Sequence, residues 1–199
     1  MLVRHAFAGS NRDGTASSTV PGEGLTAEGV AQARLARELL TGDEIALGVA
    51  SELARTQETL DLVLADRAVP RLVVPEFNEI DFGSFDGGLL SSYRAWAASH
   101  SPMDAAPGGG ESRAQVAARY AHGLRTLLAR PERSMLLVGH ALALRYVLDA
   151  ARGLVPATVM APVEHATPFR MAGREVEAAA RLLEVWSTAP RFRDRSPEG

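Results

Sequence analysis

The chain has 199 residues, a formal net charge of −3 and no cysteine, so it is long enough for a core without staples, and disulfides, thiolate nucleophiles and sulfur-rich metal sites are excluded. No apolar run approaches the ~20 residues that span a bilayer, the N-terminus lacks the pattern of a signal peptide, and the 21 basic and 24 acidic residues are intermixed, with no basic run to follow a nucleic-acid backbone. Membrane and nucleic-acid partners are therefore not expected, the default location is the cytoplasm, and an anionic substrate would have to be drawn by a local group of arginines.

The opening stretch LVRH predicts a strand that delivers Arg4 and His5 to its end. Only Met1 to Val3 precede that pair, so the sheet's central strand is expected to be brief, or to begin upstream of Met1. Residues 10–24 read as a polar, glycine-containing loop. Thr26 can cap a helix over 26–41, with apolar positions at Leu25, Val30, Ala33, Leu35 and Leu39 or Leu40. ALGVAS, 46–51, predicts a buried strand, followed by a helix over 52–66 with its stripe at Leu53, Thr56, Leu60, Val63 and Leu64. RLVVPEF, 71–77, is the third strand expected. From Gly83 to Gly110 the texture changes to glycine, serine and proline with Tyr93 and Trp96, at most one short helix, and a length that suggests a functional loop or lid. A helix over 113–129 follows a good cap at Ser112. SMLLVGHA, 134–141, lacks alternation, as expected of a strand covered on both faces, and a helix over 143–153 ends at Gly153. PFRMAG and ARLLEVW read as two final strands, with a frayed polar tail over 189–199. The alternation of strands and helices predicts an α/β fold with a mostly parallel sheet, one domain over 1–188.

Two of these strands stop on histidine, His5 and His140, each followed by alanine. In open α/β sheets ligands bind outside the carboxyl ends of the strands, and both histidines belong to that edge. Arg55 lies in the first turns of the helix after 46–51, where unpaired N–H groups and the helix dipole also favour an anion. Arg4, Arg55, His5 and His140 can surround one small dianion, most plausibly a phosphoryl group, because guanidinium forks match its oxygens. Neighbouring cations keep His5 neutral, with a free imidazole nitrogen as nucleophile. A leaving alcohol needs a proton, and Glu76, Glu79, Asp81 and Asp86 all follow a strand closely enough to supply one. Spacing alone does not choose among them.

Taken together, the residues resemble the histidine phosphatase superfamily, the phosphoglycerate mutase-like enzymes, from Leu2 to about Leu148. LVRHA is similar to the family's L-V-R-H-G, with Asn11 six residues beyond the histidine. LTAEGVAQA resembles L-T-x-x-G-x-x-Q-A, ASELARTQET resembles S-x-L-x-R-x-x-Q-T, and NEIDFGSFDG resembles E-x-x-x-G-x-x-E-G. GGGES with Arg119 eight residues on, and LLVGHA, complete six motifs in order.

The resemblance implies a three-layer α/β/α sandwich, no metal and no cofactor. It implies His5 as a phosphohistidine nucleophile, Arg4, Arg55 and His140 as the phosphate pocket, Asn11 and Ala141 as further phosphate- or substrate-binding positions, and Glu79, four residues before Gly83, as the proton donor. Three departures stand out: Ala6 for the usual glycine, Phe7 and Ala8 where acidic and hydroxyl residues are usual, and no clear match for an arginine a few residues past Asn11. Phe7 and the 10–24 loop are expected to shape a different leaving-group pocket. Mutases of the family carry long insertions between the acid and the second histidine. Here the intervening lid is short, so metal-independent hydrolysis of a small phosphomonoester is expected. A phosphoglycerate-type mutase is the alternative, followed by a non-catalytic phosphate-ligand-binding regulatory protein. A phosphohistidine or phosphotyrosine protein phosphatase would need a shallower mouth. The oligomeric state is left open.

Overall fold

The computed structural model describes residues 1–193. Its elements in chain order are β1 (Leu2–Arg4), α1 (Gly9–Asp13), α2 (Ala27–Leu39), β2 (Leu47–Ala50), α3 (Ala54–Leu64), β3 (Arg71–Val73), α4 (Leu90–Ala98), α5 (Arg113–Leu128), β4 (Met135–Gly139), α6 (Ala141–Ala150), β5 (Pro168–Phe169) and α7 (Gly173–Thr188). The five strands form one sheet in the order β3-β2-β4-β1-β5. Every pairing is parallel except β1 with β5.

Alternation along the strands divides the core between two faces of the sheet. Val3, Ala50, Leu136 and Val138 pack with Ala33, Ala36, Leu60, Val63 and Leu64, the contribution of α2 and α3. Leu2, Leu47, Val49 and Leu137 turn the other way, onto Tyr120, Leu124, Tyr146, Val147, Leu183 and Trp186 from α5, α6 and α7. This is the three-layer sandwich, and it explains why the 134–141 run shows no polar alternation: both faces are covered. Each fully buried leucine of the kind contributes about 1.5–3 kcal/mol relative to exposure. Gly48 keeps β2 against α3, since a Cβ there would come within 2.7 Å of Leu64 Cδ1. Among the described residues, no helix is long and apolar enough to cross a membrane.

Several expectations need correcting. The central strand is β4, with β1 between it and β5. On α2, Leu35 is exposed, and of the two C-terminal leucines Leu40 is buried and Leu39 exposed; Ala33 and Ala36 face the sheet and Gly29 lies against the Phe7 carbonyl; small residues let the helix sit close, and packing overrides the apolar count. The third strand stops at Val73, because Pro75 opens a 3-10 turn over Pro75–Phe77. Residues 10–13, expected within a loop, belong to α1. ARLLEVW is not a strand but the second half of α7, whose buried positions Ala179, Ala180, Leu183 and Trp186 follow helical spacing. PFRMAG keeps only Pro168–Phe169 as strand. The start of the supposed frayed tail is docked: Trp186 Nε1 donates to Arg191 O at 2.8 Å, and Arg193 pairs with Asp149 at 2.9 Å. The rest of that tail, 194–199, lies outside the described residues.

Candidate active site

Parallel pairing brings the carboxyl ends of β1, β2 and β4 to one edge, where Arg4 lies opposite Gly139 and Ala50 opposite Val138. His5 follows β1 and its N–H donates to Gly139 O at 3.0 Å. His140 follows β4 and is the N-cap residue of α6. Ser51 follows β2, and Arg55 returns to the same edge from the first turn of α3. The two imidazole centroids are 5.2 Å apart.

Hydrogen bonds fix both tautomers. His5 Nδ1–H donates to Ala6 O at 2.9 Å, which leaves Nε2 as a lone pair. Arg55 Nε donates to that Nε2 at 3.3 Å. Behind His140 the direction follows from a carbonyl, which can only accept. Thr56 Oγ1–H donates to Leu53 O at 2.8 Å, so Thr56 accepts from Ser51 at 2.8 Å, and Ser51 in turn accepts from His140 Nε2–H at 2.9 Å. His140 Nδ1 is then bare and accepts from Arg55 Nη2 at 3.3 Å.

Burial first, then the Arg55 charge, holds both His5 and His140 well below the usual histidine range. They are neutral at pH 7, and His5 presents a nucleophilic nitrogen. Burial lowers Arg4 to about 10 and lowers Arg55 as well, which leaves both guanidinium groups charged. Arg4 Nη1 is spent on Val163 O at 2.7 Å and Arg55 Nη2 on Ser17 O at 2.9 Å. Arg4 Nε and Arg55 Nη1 are buried and have no partner. An unmet buried donor is costly, and the two arginines that line the cleft bring the charge and donors that suit an anion's oxygens.

Of the four candidate carboxylates, only Glu79 lines the cleft. Its side chain is 14% exposed, its Oε2 lies 3.8 Å from His140 Nδ1, and its Oε1 accepts from Ile80 N at 3.0 Å. Burial raises its pKa against the opposing pull of Arg55, the Ile80 N–H, Arg4 and Arg119, so the carboxyl keeps its proton to higher pH than a solvated glutamate. Asp86 is occupied elsewhere, accepting from Ser18 and Thr19 hydroxyls at 2.8 and 2.6 Å. Asp81 accepts from Gly83 N at 2.8 Å and shapes the turn.

The cleft has a volume of about 90 Å³. Arg4, His5, Asn11, Arg55, Glu79 and Ala141 line it, while His140 stands behind them with no exposed surface. Asn11 comes from α1 and its Oδ1 accepts from Ala8 N at 3.0 Å. Phe7, expected to shape the leaving-group side, is absent from the lining: its carbonyl accepts from Thr26, its N–H donates to Gln32, and its ring meets His165 edge-on at 5.4 Å. Ser10, Thr15 and Ser17 of the 10–24 stretch do line the cleft, as do Leu90, Tyr93 and Arg94 of α4. Among the described residues, no group of three or more His, Asp or Glu is arranged to hold a metal ion.

His165 escaped sequence reasoning. Its ring lies 5.4 Å from that of His5, its Nδ1–H donates to His5 O at 2.8 Å, and burial followed by the Arg4 charge lowers its pKa to about 4. No motif surrounds it, and its partner is 160 positions away, so only the fold reveals the contact. A larger groove, about 1020 Å³, runs beside α7 along Val155, Leu182, Val185 and Trp186, away from this chemistry.

Residues 1–167 match the family model described as the histidine phosphatase superfamily (branch 1). The chain is 42% identical over 85 residues to the adenosylcobalamin/alpha-ribazole phosphatase of Escherichia coli K12, covering 43% of this chain and 41% of that protein. It is 32% identical over 139 residues to a probable phosphoglycerate mutase of Proteus mirabilis, 65% of this chain and 64% of that one. These matches thus span from about two-fifths to just under two-thirds of the curated relatives' lengths. Among solved structures, the alpha-ribazole phosphatase of Shigella flexneri superposes with a TM-score of 0.72 at 30% identity, over 83% of this chain and 85% of the other. A mycobacterial glucosyl-3-phosphoglycerate phosphatase in complex with VO3 gives 0.65 at 25% identity, over 77% and 79%.

Proposed function

The chain belongs to the histidine phosphatase superfamily, and from that premise we propose that it hydrolyses a small phosphomonoester through a phosphohistidine on His5. The observation that carries the reading is a His5 Nε2 lone pair on a cleft lined by two buried arginines, Arg4 and Arg55, the second of which turns its Nε and Nη2 to His5 and His140. The two guanidinium groups take phosphoryl oxygens and hold phosphorus in front of Nε2. The N–P bond forms as the ester P–O bond breaks, and charge developing on the equatorial oxygens meets fixed cations. Glu79, protonated at the outset, gives its proton to the leaving oxygen. As a carboxylate it then takes a proton from water, whose oxygen attacks phosphorus, releasing phosphate and restoring His5. His140 forms the back of the pocket, and its bond from Arg55 Nη2 holds that guanidinium in place. Asn11 and Ala141 complete the wall.

Relatives described as an alpha-ribazole phosphatase and a glucosyl-3-phosphoglycerate phosphatase support hydrolysis. The likeness to a probable phosphoglycerate mutase favours the second reading, transfer within one substrate. Phosphate release from a panel of phosphomonoesters, against isomer formation from 3-phosphoglycerate, separates the two. Rapid quenching with a labelled substrate is expected to trap an acid-labile phosphate on His5, lost in His5→Ala along with turnover. Label on serine, or turnover that requires an added metal ion, overturns the mechanism.

A further inference from the structure

The segment that carries Glu79 leaves a 3-10 turn, and among the described residues no backbone N–H reaches the carbonyls of residues 76–79, so these need donors from elsewhere. Two consecutive residues of α5 supply them. Arg119 Nη1 donates to Glu76 O at 2.9 Å and Asn78 O at 2.8 Å, and Arg119 Nη2 donates to Glu79 O at 2.9 Å. Tyr120 Oη donates to Phe77 O at 2.9 Å. Four successive carbonyls, 76 to 79, are thus held by one turn of helix.

Glu111 completes the arrangement. It takes Arg119 Nε and Nη2 bidentately, at 2.7 Å each, and its Oε2 also accepts from Asp81 N at 2.9 Å. The guanidinium has spent every nitrogen, and none of it reaches the cleft. Part-buried, bidentate and networked, this pair differs from a solvated surface bridge.

We infer that Arg119, oriented by Glu111, is a positioning residue that sets the Glu79 carboxyl against the leaving oxygen and so governs which leaving groups can be expelled. The inference rests on the reading of Glu79 as the acid. Proton transfer needs heavy atoms about 2.6–3.2 Å apart, and a displaced acid matters only for a leaving group too basic to depart as an anion. Lysine at 119 keeps the charge but cannot span three carbonyls and a carboxylate.

The test compares kcat/KM for p-nitrophenyl phosphate, whose leaving group departs unaided, with that for β-glycerophosphate, whose alkoxide needs a proton. In Glu79→Gln the ratio of the two is expected to rise about 10²-fold or more. In Arg119→Lys and Arg119→Gln it is expected to rise at least roughly tenfold, with a smaller rise in Glu111→Gln. The pH profile separates charge from geometry. Arg119 pulls the Glu79 pKa down, and activity requires the protonated acid, so Arg119→Gln moves the alkaline limb of kcat/KM for β-glycerophosphate to higher pH, whereas Arg119→Lys leaves it in place. Equal losses on both substrates in folded Arg119 variants, with Glu79→Gln still selective, overturn the inference and spare the mechanism. A Glu79→Gln variant without selectivity overturns both. Should the Arg119 variants fail to fold, Glu111→Gln gives the same readout, and an unchanged ratio there overturns the inference.

Discussion

The proposed nucleophile and the proposed acid line one cleft, yet they are built by different means. His5, Arg55 and His140 stand where β1, β2 and β4 end, and the parallel ladder that places them is buried on both sides. Glu79 stands on an irregular segment held from outside by α5 side chains. Sheet geometry preorganises the proposed anion pocket, whereas a handful of side-chain bonds places the proposed acid. The first half should therefore resist disturbance of the loops, and the second should not.

The sharpest probe of the sheet-built half is Arg55→Ala, which removes one unpartnered donor and the bonds to His5 and His140. A loss of about 10²–10³ in kcat/KM is expected, with aryl and alkyl phosphates affected alike. Gly83→Ala attacks the loop-built half. Gly83 has φ +55°, and a Cβ there falls hard against the Pro107 carbonyl and 2.8 Å from Gly110 N, so a fall of about 1–3 kcal/mol in chemical denaturation is expected. Its inhibition by inorganic phosphate should stay near that of the parent, while discrimination between aryl and alkyl esters rises; a matching loss of phosphate binding would erase the distinction between the halves. Ser51→Ala is the mildest, breaking the bonded line from His140 Nε2 to Thr56 for about 1 kcal/mol. It should weaken phosphate binding by less than Arg55→Ala and leave that discrimination untouched.

The same division explains what could be read from the sequence. Apolar runs ending on histidine announced both strand ends, and an arginine four residues past Ser51 announced the anion, because strand and helix periods are local. The acid had no such signature. Glu76, Glu79, Asp81 and Asp86 were equivalent by spacing, and only the family resemblance chose the one that the fold aims into the cleft. His165 was silent, and Ser51 was matched within a motif without a role, for a related reason: their meaning lies in contacts with His5 and His140, 160 and 89 positions away. ARLLEVW was misread because apolar neighbours within seven residues fit either period, and the helical spacing appears only when Val176 and Ala179 are included.

The docking of the two loops also bears on how such a protein can diverge. Ser84 N bonds Pro107 O at 2.7 Å and Glu111 N bonds Asp81 O at 2.9 Å, so the excursion between Phe85 and Ala106, α4 included, is closed at its base. Insertions or deletions within that excursion can remodel the wall that Leu90, Tyr93 and Arg94 give the cleft without tugging on the glutamate. On the proposed reading of the site, such a bonded base makes the excursion an exchangeable module, in which new substrate preferences can be tried while the chemistry is inherited intact.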